Sequence, residues 1–185
     1  LLINTDLMVE DTHFNDKIIH PKDLGWKSVT TNYSDLISSG CMKFIGINIG
    51  LIINPETKWY WIKEFYEGAY EALRYYGGAI LGGDCSKGER SAISVTAIGL
   101  QGELSLRRYS SRPEEIIITT GYHGLSKLGY LLKKSKINED ISELLSKELI
   151  SQSLNSFQRP KPKKDFLQNI IKSRLSTDQF EIGCT

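Results

Sequence analysis

A short apolar run, Leu1 to Ile3, leads straight into Thr5, Asp6, Glu10, Asp11 and His13 within INTDLMVEDTHF. This is the pattern of a strand opening into a carboxylate-rich loop. A polar stretch reaches His20, and Pro21 then suits the first turn of a helix that closes at Gly40, a C′ position. From Lys43 to Ile53 the chain alternates, with Ile45, Ile47, Ile49, Leu51 and Ile53 on one face and Gly46, Asn48 and Gly50 on the other. Glycines there predict close backbone approach or a bend. Between Pro55 and Tyr76, Trp59, Ile62, Tyr66, Ala69, Leu73 and Tyr76 recur at steps of three and four, opposite Lys63, Glu64, Glu67, Glu71 and Arg74. That spacing predicts a long amphipathic helix. Short strands are expected at Ala79–Leu81, Ala92–Leu100 and Ile116–Thr120. Beyond Gly121 the texture is helical, over Leu125–Leu132, Ile141–Leu154 and, after the basic RPKPKKD, Phe166–Leu175.

These elements predict a mixed α+β chain with a boundary near Glu103, dividing it into residues 1–103 and 104–185. With 185 residues, 40% of them hydrophobic, the chain can bury a sizeable core. A formal net charge of +1 argues against a nucleic-acid partner or a membrane surface. No apolar run approaches the roughly 20 residues needed to cross a bilayer. Cys41, Cys85 and Cys184 fit neither a zinc site nor a disulfide framework, which points to a reducing, cytoplasmic setting. Leu1 stands where an initiator Met would be and already reads as strand, so the chain is expected to be a piece cut from within a domain.

The candidate chemistry lies in three aspartates expected where strands or helices meet loops: Asp6, Asp35 in NYSDL, and Asp84 in LGGDCSKGE. On a helix, Asn32, Asp35 and Ser39 share one face, which surrounds the carboxylate with polar neighbours. Gly82 and Gly83 allow backbone to approach a ligand closely, and amides there could hold phosphate oxygens. Carboxylates, a Thr hydroxyl and phosphate oxygens are the hard ligands that Mg²⁺ takes. Taken singly, each feature has an ordinary explanation as a turn, cap or surface charge. His13 alone reads as a surface or packing histidine, His20 and His123 have no supporting neighbours, and Arg107 and Arg108 read as a solvated pair.

The ordered set is more specific. NTDLMVEDTHF, PKDLGWKSVTTNYSDLISSG, YYGGAILGGDCSKG, SAISVTAIG, LRRYSSRPEEIIITTG and the RPKP of Arg159–Pro162 together resemble the thiamine-monophosphate kinase family. That family sits within the aminoimidazole ribonucleotide synthetase superfamily, and the resemblance runs along essentially the whole chain. The absence of a G-x-x-x-x-G-K-[ST] loop agrees with a family that holds ATP differently. The resemblance implies ATP-dependent phosphorylation of thiamine monophosphate to thiamine diphosphate, with several Mg²⁺ ions. It implies metal ligands at Thr5, Asp6, Asp35 and Asp84, nucleotide contacts at Gly83, Asp84 and Arg108, and a contact of His13 with the thiamine phosphate. It also implies an N-terminal sheet-and-helix domain that forms a homodimer through its sheet, followed by the first part of an α+β domain. Phosphoryl transfer needs charge neutralisation and positioning more than covalent help, so no protein nucleophile is assigned.

The chain departs from the family pattern at Asn4, where Ser is usual, and at Cys85 and Ser86, where two threonines are usual. Glu114, Glu115 and Leu125 also depart, in the loop entering the second domain. Ser176–Asp178 imitates the first motif by chance. The family's Gly-Asp-Asp is expected before Leu1 and its Ser-Asp-Gly after Thr185, so the 185 residues alone are expected to be inactive. The alternatives are a superfamily enzyme acting on another acceptor, such as aminoimidazole ribonucleotide synthetase, or a non-catalytic metal- or nucleotide-binding copy.

Overall fold

The computed structural model describes residues 1–103, 105–106, 113–117 and 119–172. Four strands, β1 (Leu2–Val9), β2 (Cys41–Ile53), β3 (Ala79–Lys87) and β4 (Ala92–Gln101), form one sheet in the order β1-β4-β2-β3. β4 runs antiparallel to both β1 and β2, whereas β2 and β3 are parallel. The parallel pair requires a crossover, supplied by α2 (Trp59–Tyr76). The first crossover helix, α1 (Pro21–Ser38), packs against α2 on the same face of the sheet, over Ile47, Ile49, Leu51, Ile93, Val95 and Ala97. The opposite face is largely open, with Ile3, Leu7, Ile52 and Leu100 exposed.

Helix ends follow the sequence signals closely. Pro21 begins α1, and the His20 side chain caps it by accepting from the Lys22 N–H at 3.3 Å. His20 thus has a structural partner that the sequence did not reveal. Gly40, with φ of 91°, follows the α1 C-cap in the left-handed region that glycine tolerates. The two helices cross with almost no room between backbones: a Cβ at Gly68 would lie 1.7 Å from the Lys22 carbonyl oxygen. One at Gly25 would lie 1.9 Å from that of Phe65.

Several expectations are corrected. α2 begins at Trp59, not near Pro55, and Trp59 is 75% exposed; Trp61, Phe65 and Ala72 complete the buried face instead. The Trp61 indole donates to Asp16 at 2.8 Å, which turns this end of the helix from the expected phase. β3 extends through Lys87, so Gly82, Gly83 and Asp84 lie within a strand and not in a turn after it. β1 likewise runs through Val9, so Thr5 and Asp6 sit mid-strand. The strand expected at Ile116–Thr120 does not form among its described residues, and Ile117 is 96% exposed. The helix expected over Ile141–Leu154 is divided into α4 (Glu139–Leu144) and α5 (Lys147–Gln158), because Ser146 caps α5 by accepting from the Leu149 N–H. Ser176–Asp178, Cys184 and Arg108 lie outside the described residues.

The helices after residue 124 are α3 (Leu125–Lys133), α4, α5 and α6 (Lys164–Lys172). α3 and α5 pack closely at Gly129, where a Cβ would lie 2.1 Å from the Ser153 carbonyl oxygen. The RPKP stretch between α5 and α6 straps this part onto α1 and α2. Trp26 Nε1 donates to the Pro160 carbonyl at 2.8 Å and the Tyr76 hydroxyl to that of Pro162 at 3.2 Å. Arg159 pairs with Glu71 and Asp23 and stacks its guanidinium over Trp26.

Candidate functional site at the β1–α1 seam

α1 runs antiparallel to β1, and three side-chain contacts record the alignment. Ser28 meets Met8, Asn32 meets Asp6, and Asp35 meets Asn4. On β1 the alternation of a strand sends Asn4, Asp6 and Met8 toward α1. The polar pairs lie at the half of the seam nearer the start of β1, beside the buried Tyr33, Leu36 and Ile37 of α1.

Asn32 organises this group. It is 0% exposed, its Oδ1 accepts from the Asp6 backbone N–H at 3.1 Å and from Asn4 Nδ2 at 3.2 Å, and its Nδ2 donates to the Ser28 carbonyl at 2.9 Å. The Asn4 amide also donates to Asp35 Oδ2 at 2.8 Å. Burial pushes the Asp6 carboxyl above its ordinary range, and the nearby Asp35 carboxylate pushes in the same direction; Thr31 and Asn4 partly offset both. Two carboxylates placed so that one raises the pKa of the other form an electrostatic liability that a divalent cation relieves. The Asp6–Asp35 pair therefore fits one edge of a magnesium site. Among the described residues no group of three or more His, Cys, Asp or Glu side chains is gathered to hold a metal.

The other expected site residues are more dispersed. Thr5 points to the opposite face of the sheet from Asp6, where its hydroxyl lies 2.9 Å from that of Thr96. Asp84 pairs in register with Gly50 on the edge strand, and Gly83 with Ile49. Three inter-strand steps separate Gly83 from Asp6, through Ile49 and Val95. Gly83 allows close approach of β3 to β2, since a Cβ there would lie 2.0 Å from the Ile49 carbonyl oxygen. His13 lies beyond the end of β1, exposed, with Nδ1 accepting from the Val9 N–H at 3.1 Å. Asn32 was expected beside Asp35, but its bonds to β1, the contact of Thr31 with Asp6 and the role of the Asn4 side chain were missed. The signal was Thr31-Asn32, polar residues on the stretch of α1 that meets β1.

The first 101 residues match the family model described as AIR synthase related protein, N-terminal domain. Over 175 residues the chain is 41% identical to a thiamine-monophosphate kinase of Prochlorococcus marinus, an alignment that takes in 94% of this chain and 52% of that protein. A thiamine-monophosphate kinase of Synechococcus elongatus is 29% identical, over 94% of this chain and 51% of its own length. Among solved structures, thiamine monophosphate kinase from Aquifex aeolicus superposes with a TM-score of 0.80 at 26% identity, covering 92% of this chain and 55% of that one. AaThiL complexed with AMPPCP and TMP superposes with a TM-score of 0.79 at 26% identity, covering 91% and 52%. The chain spans about half the length of the curated relatives it matches. On the match of its first 101 residues, and on the four-stranded sheet with its two crossover helices, the chain belongs to the AIR synthase related protein family.

Proposed function

We propose that the protein carrying this chain transfers the γ-phosphoryl group of ATP to thiamine monophosphate, forming thiamine diphosphate. The observation that carries this reading is the convergence of Asp6 and Asp35 across the β1–α1 seam, fixed by Asn4 and Asn32. The relatives' names and the AMPPCP and TMP of the AaThiL complex supply the donor and the acceptor. In this reading Asp6 and Asp35 hold Mg²⁺, with water and phosphate oxygens completing its shell. Bound Mg²⁺ neutralises the charge that phosphates bring together. Thr5, on the other face of the sheet from Asp6, and Asp84, on the far edge strand, serve further Mg²⁺ ions and not the one held by Asp6 and Asp35; Gly83 and Arg108 meet the nucleotide, and His13 meets the acceptor phosphate.

The protein is further proposed to act in the cytoplasm as a homodimer. The exposed Ile3, Leu7, Ile52 and Leu100 on the open sheet face favour self-association there. Residues 1–103 form the metal- and ATP-binding unit and 104–185 the beginning of a second one. Calorimetric titration of the protein with AMPPCP and Mg²⁺, then with thiamine monophosphate, tests the reading. Both ligands should bind, and Asp35→Asn should weaken the Mg²⁺-dependent part. Binding of neither ligand would refute it.

A further inference from the structure

Lys27 lies on the same helix as Thr31 and Asp35 but belongs to none of the interactions described so far. It lies half-buried on α1, with Nζ 4.0 Å from the centroid of the Phe157 ring on α5. Among the described residues it has no carboxylate partner, whereas Lys22, near the start of the same helix, pairs with Glu71 at 2.8 Å. Desolvation lowers the Lys27 pKa to about 8, so at neutral pH the group still carries its proton in a poorly solvated place. A cation held there without a counter-ion is costly unless an anion arrives.

Its position says which anion. Thr31 lies four residues on, on the same face of α1, about 6 Å further along the axis. The Thr31 hydroxyl faces the Lys27 carbonyl at 3.0 Å and is within hydrogen-bonding reach of the Asp6 carboxylate. Asp35 follows one more turn along. Along this edge of α1 the order is therefore cation, hydroxyl, carboxylate, and it ends at the pair suited to a divalent cation. A phosphate bound to such a cation leaves oxygens facing away from the metal, and Lys27, one turn before Thr31 and two before Asp35, lies on the side from which its ammonium can turn from Phe157 to meet one of them.

We propose that Lys27 is a phosphate-binding residue, its ammonium donating to a non-bridging oxygen of a phosphate group held at the Asp6–Asp35 end of the seam. The inference rests on the reading of the seam as a phosphoryl-transfer site and adds a residue to it. The phosphate can belong to the acceptor or to the nucleotide.

Calorimetry with thiamine monophosphate, AMPPCP and inorganic phosphate, each with Mg²⁺, on wild type, Lys27→Met and Lys27→Arg tests this, with melting temperature as the second readout. Lys27→Met should raise the Kd of at least one phosphate ligand by about ten- to a hundredfold, the value of a hydrogen bond to a charged group. Lys27→Arg should retain most of the affinity. The melting temperature of Lys27→Met should be unchanged or higher, because an unpaired charge leaves the interface. A loss confined to thiamine monophosphate assigns the acceptor phosphate, and one confined to AMPPCP assigns the nucleotide. If wild type binds only inorganic phosphate and Lys27→Met loses it, the inference stands and the thiamine reading falls. Unchanged affinities together with a lower melting temperature would show that Lys27 only packs on Phe157 and would overturn the proposal. Wild type binding none of the three would overturn both.

Discussion

The Asn4 amide donates a 2.8 Å hydrogen bond to Asp35 Oδ2, joining β1 to the last turns of α1 through residues 31 positions apart. The same amide reaches Asn32, and Asn32 in turn holds the Asp6 N–H. One buried amide thus sets the relative position of both carboxylates. Removing the Asn32 amide leaves the Asp6 N–H without its side-chain acceptor and the Asn4 amide with Asp35 alone, so Asn32→Ala should cost about 1–3 kcal/mol. Urea unfolding at neutral pH measures this. A loss below about 0.5 kcal/mol, the range of ordinary surface changes, would contradict the role given to Asn32.

The Asp6–Asp35 pair makes stability depend on pH. The Asp6 carboxyl titrates above its ordinary value of 3.8 in the folded chain, so the folded state binds more protons than the unfolded one between those two values. Stability therefore falls as pH rises through that window. Below 3.8 the contribution is fully present, and above the raised value it is lost. Without divalent cations, Asp6→Asn should be more stable than wild type at pH 7, and the advantage should disappear by about pH 3. Added Mg²⁺ should raise the wild-type melting temperature and leave that of the variant unmoved. An Asp6→Asn protein less stable than wild type at pH 7 would show that neither burial nor the neighbouring Asp35 penalises the Asp6 carboxylate.

At Gly68 two effects of an added methyl oppose each other. Helix propensity favours Ala by up to about 1 kcal/mol. The Cβ would, however, lie 1.7 Å from the Lys22 carbonyl oxygen, which forces α1 and α2 apart. Overpacking of this kind costs about 1–3 kcal/mol, and backbone against backbone has no soft rotamer to yield. Gly68→Ala should lower the melting temperature, and an increase would mean that the helices separate freely.

His13 allows its proposed contact to be told apart from its local bond. His13→Ala should raise KM for thiamine monophosphate more than KM for ATP. His13→Asn keeps an acceptor near the Val9 N–H and should restore stability without restoring the acceptor KM. Equal changes in both KM values would make His13 a structural residue of the loop.

Much of the scaffold was legible from residue order. Pro21 and Gly40 bound α1 as their backbone chemistry requires, and Gly46 of β2 marks a real close approach, since a Cβ there would lie 2.2 Å from the Ala79 carbonyl oxygen, whereas one at Gly50 would meet nothing nearer than 3.7 Å. The extent of β3 was not legible, because Gly82-Gly83-Asp84 reads locally as a turn. Only its parallel pairing with Asn48, Ile49 and Gly50 makes it strand. The phase of α2 was not legible for a similar reason: Trp59 and Trp61 are equally apolar, and Trp61 turns inward with Phe65 and Ala72, its indole meeting Asp16, 45 residues upstream. Within the candidate site the acids were visible as residue types. Asn32 was visible as a polar neighbour of Asp35, but its bonds to Asn4 and Asp6 were not, because a polar residue on a buried helix face declares its partner only when the strand beneath it is known. Thr5 and Asp6 looked like one ligand pair, and strand alternation separates their side chains.

The central claim is phosphoryl transfer to thiamine monophosphate at the seam that Asp6 and Asp35 define. Its most direct test is the rate of thiamine diphosphate formation by the purified full-length protein that carries this chain, with ATP, Mg²⁺ and thiamine monophosphate, measured beside its Asp6→Asn and Asp35→Asn variants. Multiple turnover by wild type, falling by about two to four orders of magnitude in each variant, is the predicted result. Absence of thiamine diphosphate from the wild-type reaction, or near-normal turnover in both variants at saturating Mg²⁺, would contradict it.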